Sequence, residues 1–119
     1  MDRIYIRDML LRCILGVYEE ERREKQDVVI NICLYTDLRK AGKTDRIEDS
    51  VDYKAIKKGL LRFVEESSFY LLEALTEAIA VECLKHKGVR KVDVRVEKPG
   101  ALRFAKTVGV EITRPWEEG

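Results

Sequence analysis

A single histidine, His86, is present in the whole chain. A histidine-paired metal site and a Ser-His-Asp unit are thereby excluded, because each sets an imidazole beside a second specific group. No GxxxxGK[ST] or GxGxxG run offers a phosphate cradle, and no acidic run has calcium-loop spacing. The three cysteines, Cys13, Cys33 and Cys83, form no CxxC pair. An odd number without framework spacing reads as free thiols in a reducing compartment, and each lies in an apolar stretch, as small buried hydrophobes do. The start, Met1-Asp2-Arg3-Ile4, lacks a basic segment leading into an apolar one. No apolar run approaches the roughly 18 residues of a membrane span. A cytoplasmic protein with no membrane partner is expected. Excess charge of one sign is missing too: 23 Lys and Arg against 22 Asp and Glu leave +1. That argues against a nucleic-acid-binding module, which normally carries a basic surplus.

What is present is a dense, balanced charge, 38% of residues, around a hydrophobic share of 45%. The 119 residues make room for one domain, 1–119, with no repeat or linker. Ile4 to Ile6 and Met9 to Val17 form a mostly apolar first strand segment. After a charged connection, Val28, Ile30, Ile32 and Leu34 fall on one face at period two, predicting a second strand antiparallel to the first. Arg39 to Ser50 reads as a polar turn region. Asp52 is placed to cap a helix running to about Glu66, with Ile56, Leu60, Phe63 and Val64 at helical spacing. A second helix is expected from about Leu71 to Lys87, burying Leu72, Leu75, Ile79 and Cys83, with Gly88 as its stop. His86 then falls in its last turn, where the helix dipole favours a cation. Val92, Val94 and Val96, then Val108, Val110 and Ile112, alternate as two closing strands on either side of a Pro99-Gly100 turn. The order ββααββ gives an α+β domain, an antiparallel sheet with two helices on one face.

Two helices cover one face of such a sheet, while the first strand segment reads as apolar on both, and an open sheet leaves two edges. Self-association answers both demands, because a closed ring removes edges.

Four segments carry polar groups that chemistry can use. Gly16 to Gln26 is a charged loop containing Glu21; Val51-Asp52-Tyr53 opens a helix; Tyr70-Leu71-Leu72-Glu73 puts a carboxylate in a first helical turn; Lys98-Pro99-Gly100-Ala101 ends a strand. Each has an ordinary explanation: solvated loop, helix cap, favourable charge at a helix dipole, surface lysine. Their order and spacing over nearly the whole chain resemble the dihydroneopterin aldolase family. The matching features are Gly16, Glu21 and Gln26 in the first loop, Val51-Asp52-Tyr53, Leu71-Leu72-Glu73, Lys98 to Ala101, and Val108-Gly109-Val110 in the last strand. Family aldolases often carry a histidine before the loop glycine, where this chain has Cys13-Ile14-Leu15-Gly16. Ala101-Leu102-Arg103-Phe104-Ala105 and Arg22 to Gln26 also resemble the sister branch, the dihydroneopterin triphosphate epimerases.

The resemblance implies a tunnelling fold whose subunits close into a barrel, as a tetramer or octamer, with active sites between subunits. It implies retro-aldol cleavage of 7,8-dihydroneopterin in folate biosynthesis, with no metal or organic cofactor, since the substrate's own imine accepts the electrons. Glu73 would anchor the aminopyrimidine edge of the pterin and the Leu72 N–H would meet the ring carbonyl. Lys98 would be the general acid/base, acting through a water. Tyr53 and Glu21 would orient the hydroxylated side chain and relay protons. A 2′-epimerase acting on the triphosphate is the neighbouring expectation, with Arg22, Arg23 and Arg103 as candidate phosphate contacts. A non-enzymatic pterin-binding or interaction protein on the same fold is the alternative of a different class.

Overall fold

The structure, a computed structural model, describes residues 1–116. Strand β1 spans Asp2–Cys13 and β2 spans Gln26–Thr36; they are joined through a 3-10 turn at Glu19–Arg22. A short helix α1, Arg39–Thr44, and a 3-10 turn at Ile47–Asp49 precede helices α2, Tyr53–Glu65, and α3, Leu72–Leu84. Strands β3, Lys91–Pro99, and β4, Thr107–Arg114, complete the chain. The four strands lie in sequence order, every neighbour antiparallel, so β1 and β4 are the edges.

Period-two patterning puts Val28, Ile30, Ile32 and Leu34 of β2 and Val92, Val94 and Val96 of β3 on one face, all buried beneath the helices. Helix α2 crosses β1, and α3 lies over β3 and β4. The cap expected at Asp52 is made: its carboxylate accepts from Ala55 N at 3.0 Å. Ile56, Leu60 and Val64 form the buried stripe of α2, with Phe63 partly covered at its margin. In α3, Leu75, Ile79, Ala80 and Cys83 are buried, and Thr76 joins them because its hydroxyl donates to Leu72 O at 2.7 Å. Truncating a core leucine such as Leu60 to alanine would cost about 2–5 kcal/mol.

Three details depart from the sequence pattern. The polar region after β2 contains a helical turn, α1, closed by Asp45 in the left-handed region at φ 60°. Helix α3 ends at Leu84 rather than Lys87; Gly88, at φ +89°, serves instead in the connection to β3. The third concerns β1, whose apolar residues change parity. Ile6 pairs with Ile32 but Met9 with Ile30, so Arg7 and Asp8 together oppose Asn31 in a bulge. Asp8 takes φ 53° there, and its N–H donates to Asn31 Oδ1 at 2.9 Å. Ile4, Ile6, Met9, Leu11 and Cys13 thus all reach the helix side. The strand is therefore not apolar on both faces: on the open face β1 shows Tyr5 and Leu10 among charged neighbours.

That open face is polar. Asp93 accepts hydroxyl bonds from Tyr35 of β2 at 2.7 Å and Thr113 of β4 at 2.6 Å, tying three strands. The bond to Asp93 pushes the Tyr35 hydroxyl up to about 12. Gly109 faces Glu97 across the β3–β4 ladder, and a Cβ there would fall 2.9 Å from Glu97 Cγ, which accounts for the glycine in Val108-Gly109-Val110.

Candidate active site

Past Cys13 the chain must leave the sheet and return as β2. Gly16 makes the bend at φ +141°, and its N–H donates to Phe69 O at 3.3 Å. A side chain there would collide with Glu21, whose Cδ lies 2.4 Å from the position of a Cβ. Glu21 can therefore fold back over the bend. Its Oε1 accepts from Tyr18 N at 3.1 Å and its Oε2 from Lys98 Nζ at 2.6 Å.

Lys98 continues the alternation of Val92, Val94 and Val96, so its side chain leaves β3 on the helix side, at the end of the core. Its side chain is only 11% exposed, and that of Glu21 24%. Lys98 Nζ also donates to Leu15 O at 3.2 Å, and Gln26 Nε2 holds the same carbonyl at 3.0 Å and Glu21 O at 3.2 Å. The hydrogen bond from Lys98 keeps the Glu21 carboxyl below its ordinary range, against an opposing push from partial burial. The result is a preformed, partly desolvated ammonium–carboxylate pair at one end of the sheet.

Helix α3 starts at the same end. Its N-cap position is Leu71, whose side chain makes no capping bond, and its first intrahelical bond runs from Leu75 N to Leu71 O. The N–H groups of its first turn are thus left for other acceptors. Glu73 sits exposed in that turn and Leu72 is partly buried behind it. The connector before the helix forms an open hollow of about 720 Å³, lined by Phe63, Phe69, Tyr70, Leu71 and Ala74 with polar Glu66, Ser67 and Ser68. A second hollow, about 450 Å³, lies on the open sheet face around Asn31, Asp93 and Arg95, away from Lys98 and Glu73.

Tyr53 does not join them. It is 48% exposed at the start of α2, and among the described residues its hydroxyl has no hydrogen-bond partner. Val51, two residues earlier, lies beside Gly88, which also neighbours Thr36, at the far end of β2 from Gln26. Within one chain the structure brings together Glu21 and Lys98, with Gln26, and sets Glu73 and Leu72 at the same end of the sheet; Tyr53 belongs to the other.

Of the three arginines read as phosphate contacts, Arg22 is committed to the protein backbone and Arg23 makes an exposed surface pair. Arg22 donates to Gly16 O, Phe69 O and Ser68 O, and Arg23 pairs with Glu19 at 3.3 Å. Arg103 remains on an exposed loop, over the ring of Phe104. The Arg22 contacts reach residues 46 and 47 positions away, and no local sequence signal marks them. Among the described residues no group of three or more His, Cys, Asp or Glu is arranged to hold a metal ion. No helix among them is long and apolar enough to cross a membrane.

A four-stranded antiparallel sheet with a lysine–glutamate pair at its end and a glutamate at a neighbouring helix start defines an α+β protein whose reactive polar groups gather at one end of the sheet. The family model described as dihydroneopterin aldolase matches residues 4–113, and the chain belongs to that family. It is 39% identical over 112 residues to a dihydroneopterin triphosphate 2′-epimerase of Pseudomonas aeruginosa, covering 94% of this chain and 91% of that one. It is 38% identical over 101 residues to a dihydroneopterin aldolase of Streptomyces coelicolor, covering 85% of each. A folic acid synthesis protein of Dictyostelium discoideum is 40% identical over 114 residues, 96% of this chain, which spans only 17% of that longer protein. The crystal structure of Escherichia coli dihydroneopterin aldolase in complex with neopterin superposes with a TM-score of 0.91 at 33% identity, covering 96% of this chain and 99% of that one.

Proposed function

We propose that this chain is a 7,8-dihydroneopterin aldolase, a carbon–carbon lyase releasing 6-hydroxymethyl-7,8-dihydropterin and glycolaldehyde. The observation that carries the reading is the Glu21–Lys98 pair, 2.6 Å apart and partly desolvated, at the sheet end where α3 presents Glu73. In this reading Glu73 holds the aminopyrimidine edge by charge-assisted hydrogen bonds, and the Leu72 N–H receives the ring carbonyl. Lys98, acting as general base through a water, takes the 2′-hydroxyl proton; the aldehyde forms as the C1′–C2′ bond breaks, and the electron pair passes into the N5=C6 imine of the ring. Lys98 then returns a proton to C1′ by way of a water, with Glu21 and Tyr53 holding the hydroxylated side chain and relaying protons. The substrate supplies its own electron sink, so this route uses no cofactor.

Tyr53 reaches this site only from another subunit. The reading therefore includes a homo-oligomer, tetramer or octamer, in which the uncovered edges of β1 and β4 meet around a barrel. The three reduced thiols suit a cytoplasmic location. The commitment of Arg22 to three backbone carbonyls favours the unphosphorylated substrate over a triphosphate.

The test is incubation with 7,8-dihydroneopterin and, separately, its triphosphate, following free glycolaldehyde and the 2′ configuration. Release of glycolaldehyde from dihydroneopterin is expected. Inversion of the triphosphate with no glycolaldehyde from either compound would make the chain an epimerase. Turnover unaffected by Lys98→Ala would remove the proposed acid/base, and pterin binding without turnover would leave a binding protein.

A further inference from the structure

We infer that Arg22 is a positioning residue that sets the distance and angle between the pterin-holding start of α3 and the Glu21–Lys98 pair. The inference rests on the reading that Glu73 and Lys98 serve one substrate. These two halves of the site come from segments far apart in sequence, the loop after β1 and the connector before α3. Arg22 is bonded to both. Its Nη1 donates to Gly16 O at 3.2 Å and to Phe69 O at 2.8 Å, while Nη2 donates to Ser68 O at 2.6 Å. Its guanidinium also lies over the Tyr70 ring, 3.9 Å from the centroid.

The neighbours on either side give these contacts their meaning. Glu21, one residue before Arg22, is the carboxylate on Lys98. Tyr70, under the guanidinium, leads through Leu71 and Leu72 to Glu73. Among the described residues Arg22 has no carboxylate partner, so its charge is spent on three carbonyl oxygens and one aromatic face. Three acceptors in a fixed fan, with a ring stacked on the same plane, suit a planar guanidinium. An ammonium on a flexible stem meets neither the fan nor the stack in the same way. The link is thus a matter of shape, and shape at this point determines where the substrate side chain lies relative to Lys98. Misplacement of the order of 1 Å costs about 100-fold in rate.

The experiment compares wild type with Arg22→Ala and Arg22→Lys. It measures oligomer size, neopterin affinity and stoichiometry by calorimetry, and kcat and KM for 7,8-dihydroneopterin, with kcat expressed per neopterin site. Glu73 and Leu72 stay intact, so the neopterin Kd is expected to change by less than about fivefold, while kcat per site falls about 30- to 100-fold in both variants. Methylguanidinium added to Arg22→Ala should recover part of kcat, and methylammonium should not. A purely structural role would reduce the number of sites and leave kcat per site unchanged. Arg22→Ala and Arg22→Lys with kcat per site within threefold of wild type would overturn the inference. If Arg22→Ala does not assemble, Arg22→Lys supplies the same comparison. Wild-type protein that binds neopterin without turning over dihydroneopterin would overturn the reading of the site itself, and this role with it.

Discussion

Lys98 and Tyr53 stand at opposite ends of one sheet. Lys98 closes β3 beside the start of β2, while Val51, which carries the chain to Tyr53, lies against Gly88, as does Thr36 at the end of β2. Eight strand positions separate Val28 from Thr36, roughly 26 Å at a rise of about 3.3 Å per residue. No side-chain rotation closes that gap.

Mixing two inactive proteins should therefore restore activity. Lys98→Ala and Tyr53→Ala homo-oligomers are each expected to be nearly inactive, whereas subunits unfolded and reassembled together at equal ratio would form roughly a quarter of their sites intact. Turnover of the mixture measures this directly. Activity no greater than the sum of the parents would place Tyr53 outside the site.

Acid should separate Glu21 from Lys98. The folded carboxyl is held below its ordinary value of 4.5, chiefly by the Lys98 hydrogen bond. The pair then contributes stability fully above that value and loses it as pH falls through the lower, folded value. Denaturant midpoints of wild type and Glu21→Gln should accordingly differ most above the ordinary value of 4.5 and converge as the pH is lowered below it. A gap independent of pH would dissociate the shift from stability.

Glu73 has a simpler test. Glu73→Ala should weaken neopterin binding by about 1.5–3 kcal/mol, the scale of a hydrogen bond to a charged group. Because Glu73 is exposed, the melting temperature should move little. Unchanged affinity by calorimetry would reassign the pterin anchor.

At Gly16 conformation and space act together. Gly16→Ala places a methyl group 2.4 Å from Glu21 Cδ at a φ of +141°, so Glu21 must leave its place on Lys98. A stability loss of about 1–3 kcal/mol is expected, with kcat falling alongside it. A stable, fully active Gly16→Ala protein would show that the contact with Glu21 is dispensable.

The strands and helices were legible because their apolar residues keep strict periods: Val92, Val94 and Val96 at two, Ile56, Leu60 and Val64 at the helical spacing. Asp52 was legible as a cap because an N-cap carboxylate is a local device. Helix α1 was not, since six residues rich in Lys, Arg and Gly show no apolar stripe. At the site, Glu21, Glu73 and Lys98 were nameable from an ordered set of short motifs. Their joining was not: the Lys98–Glu21 bond spans 77 positions and the Arg22–Phe69 bond 47, and only the folded chain brings those together.

The bulge in β1 also determines which length changes that strand can absorb. Ile4 and Ile6 precede it, Met9, Leu11 and Cys13 follow it, and all five share one face because Arg7 and Asp8 occupy the space opposite a single residue. Removing Asp8 would leave a plain alternating strand with the same five side chains still inward. Removing Leu10 instead would turn Leu11 and Cys13 out to the polar face and empty their places under α2. Single-residue deletions along β1 should thus be tolerated at Arg7 or Asp8 and ruinous at Met9 or Leu10, so that natural or engineered chains with a shorter first strand would lose a residue at the bulge.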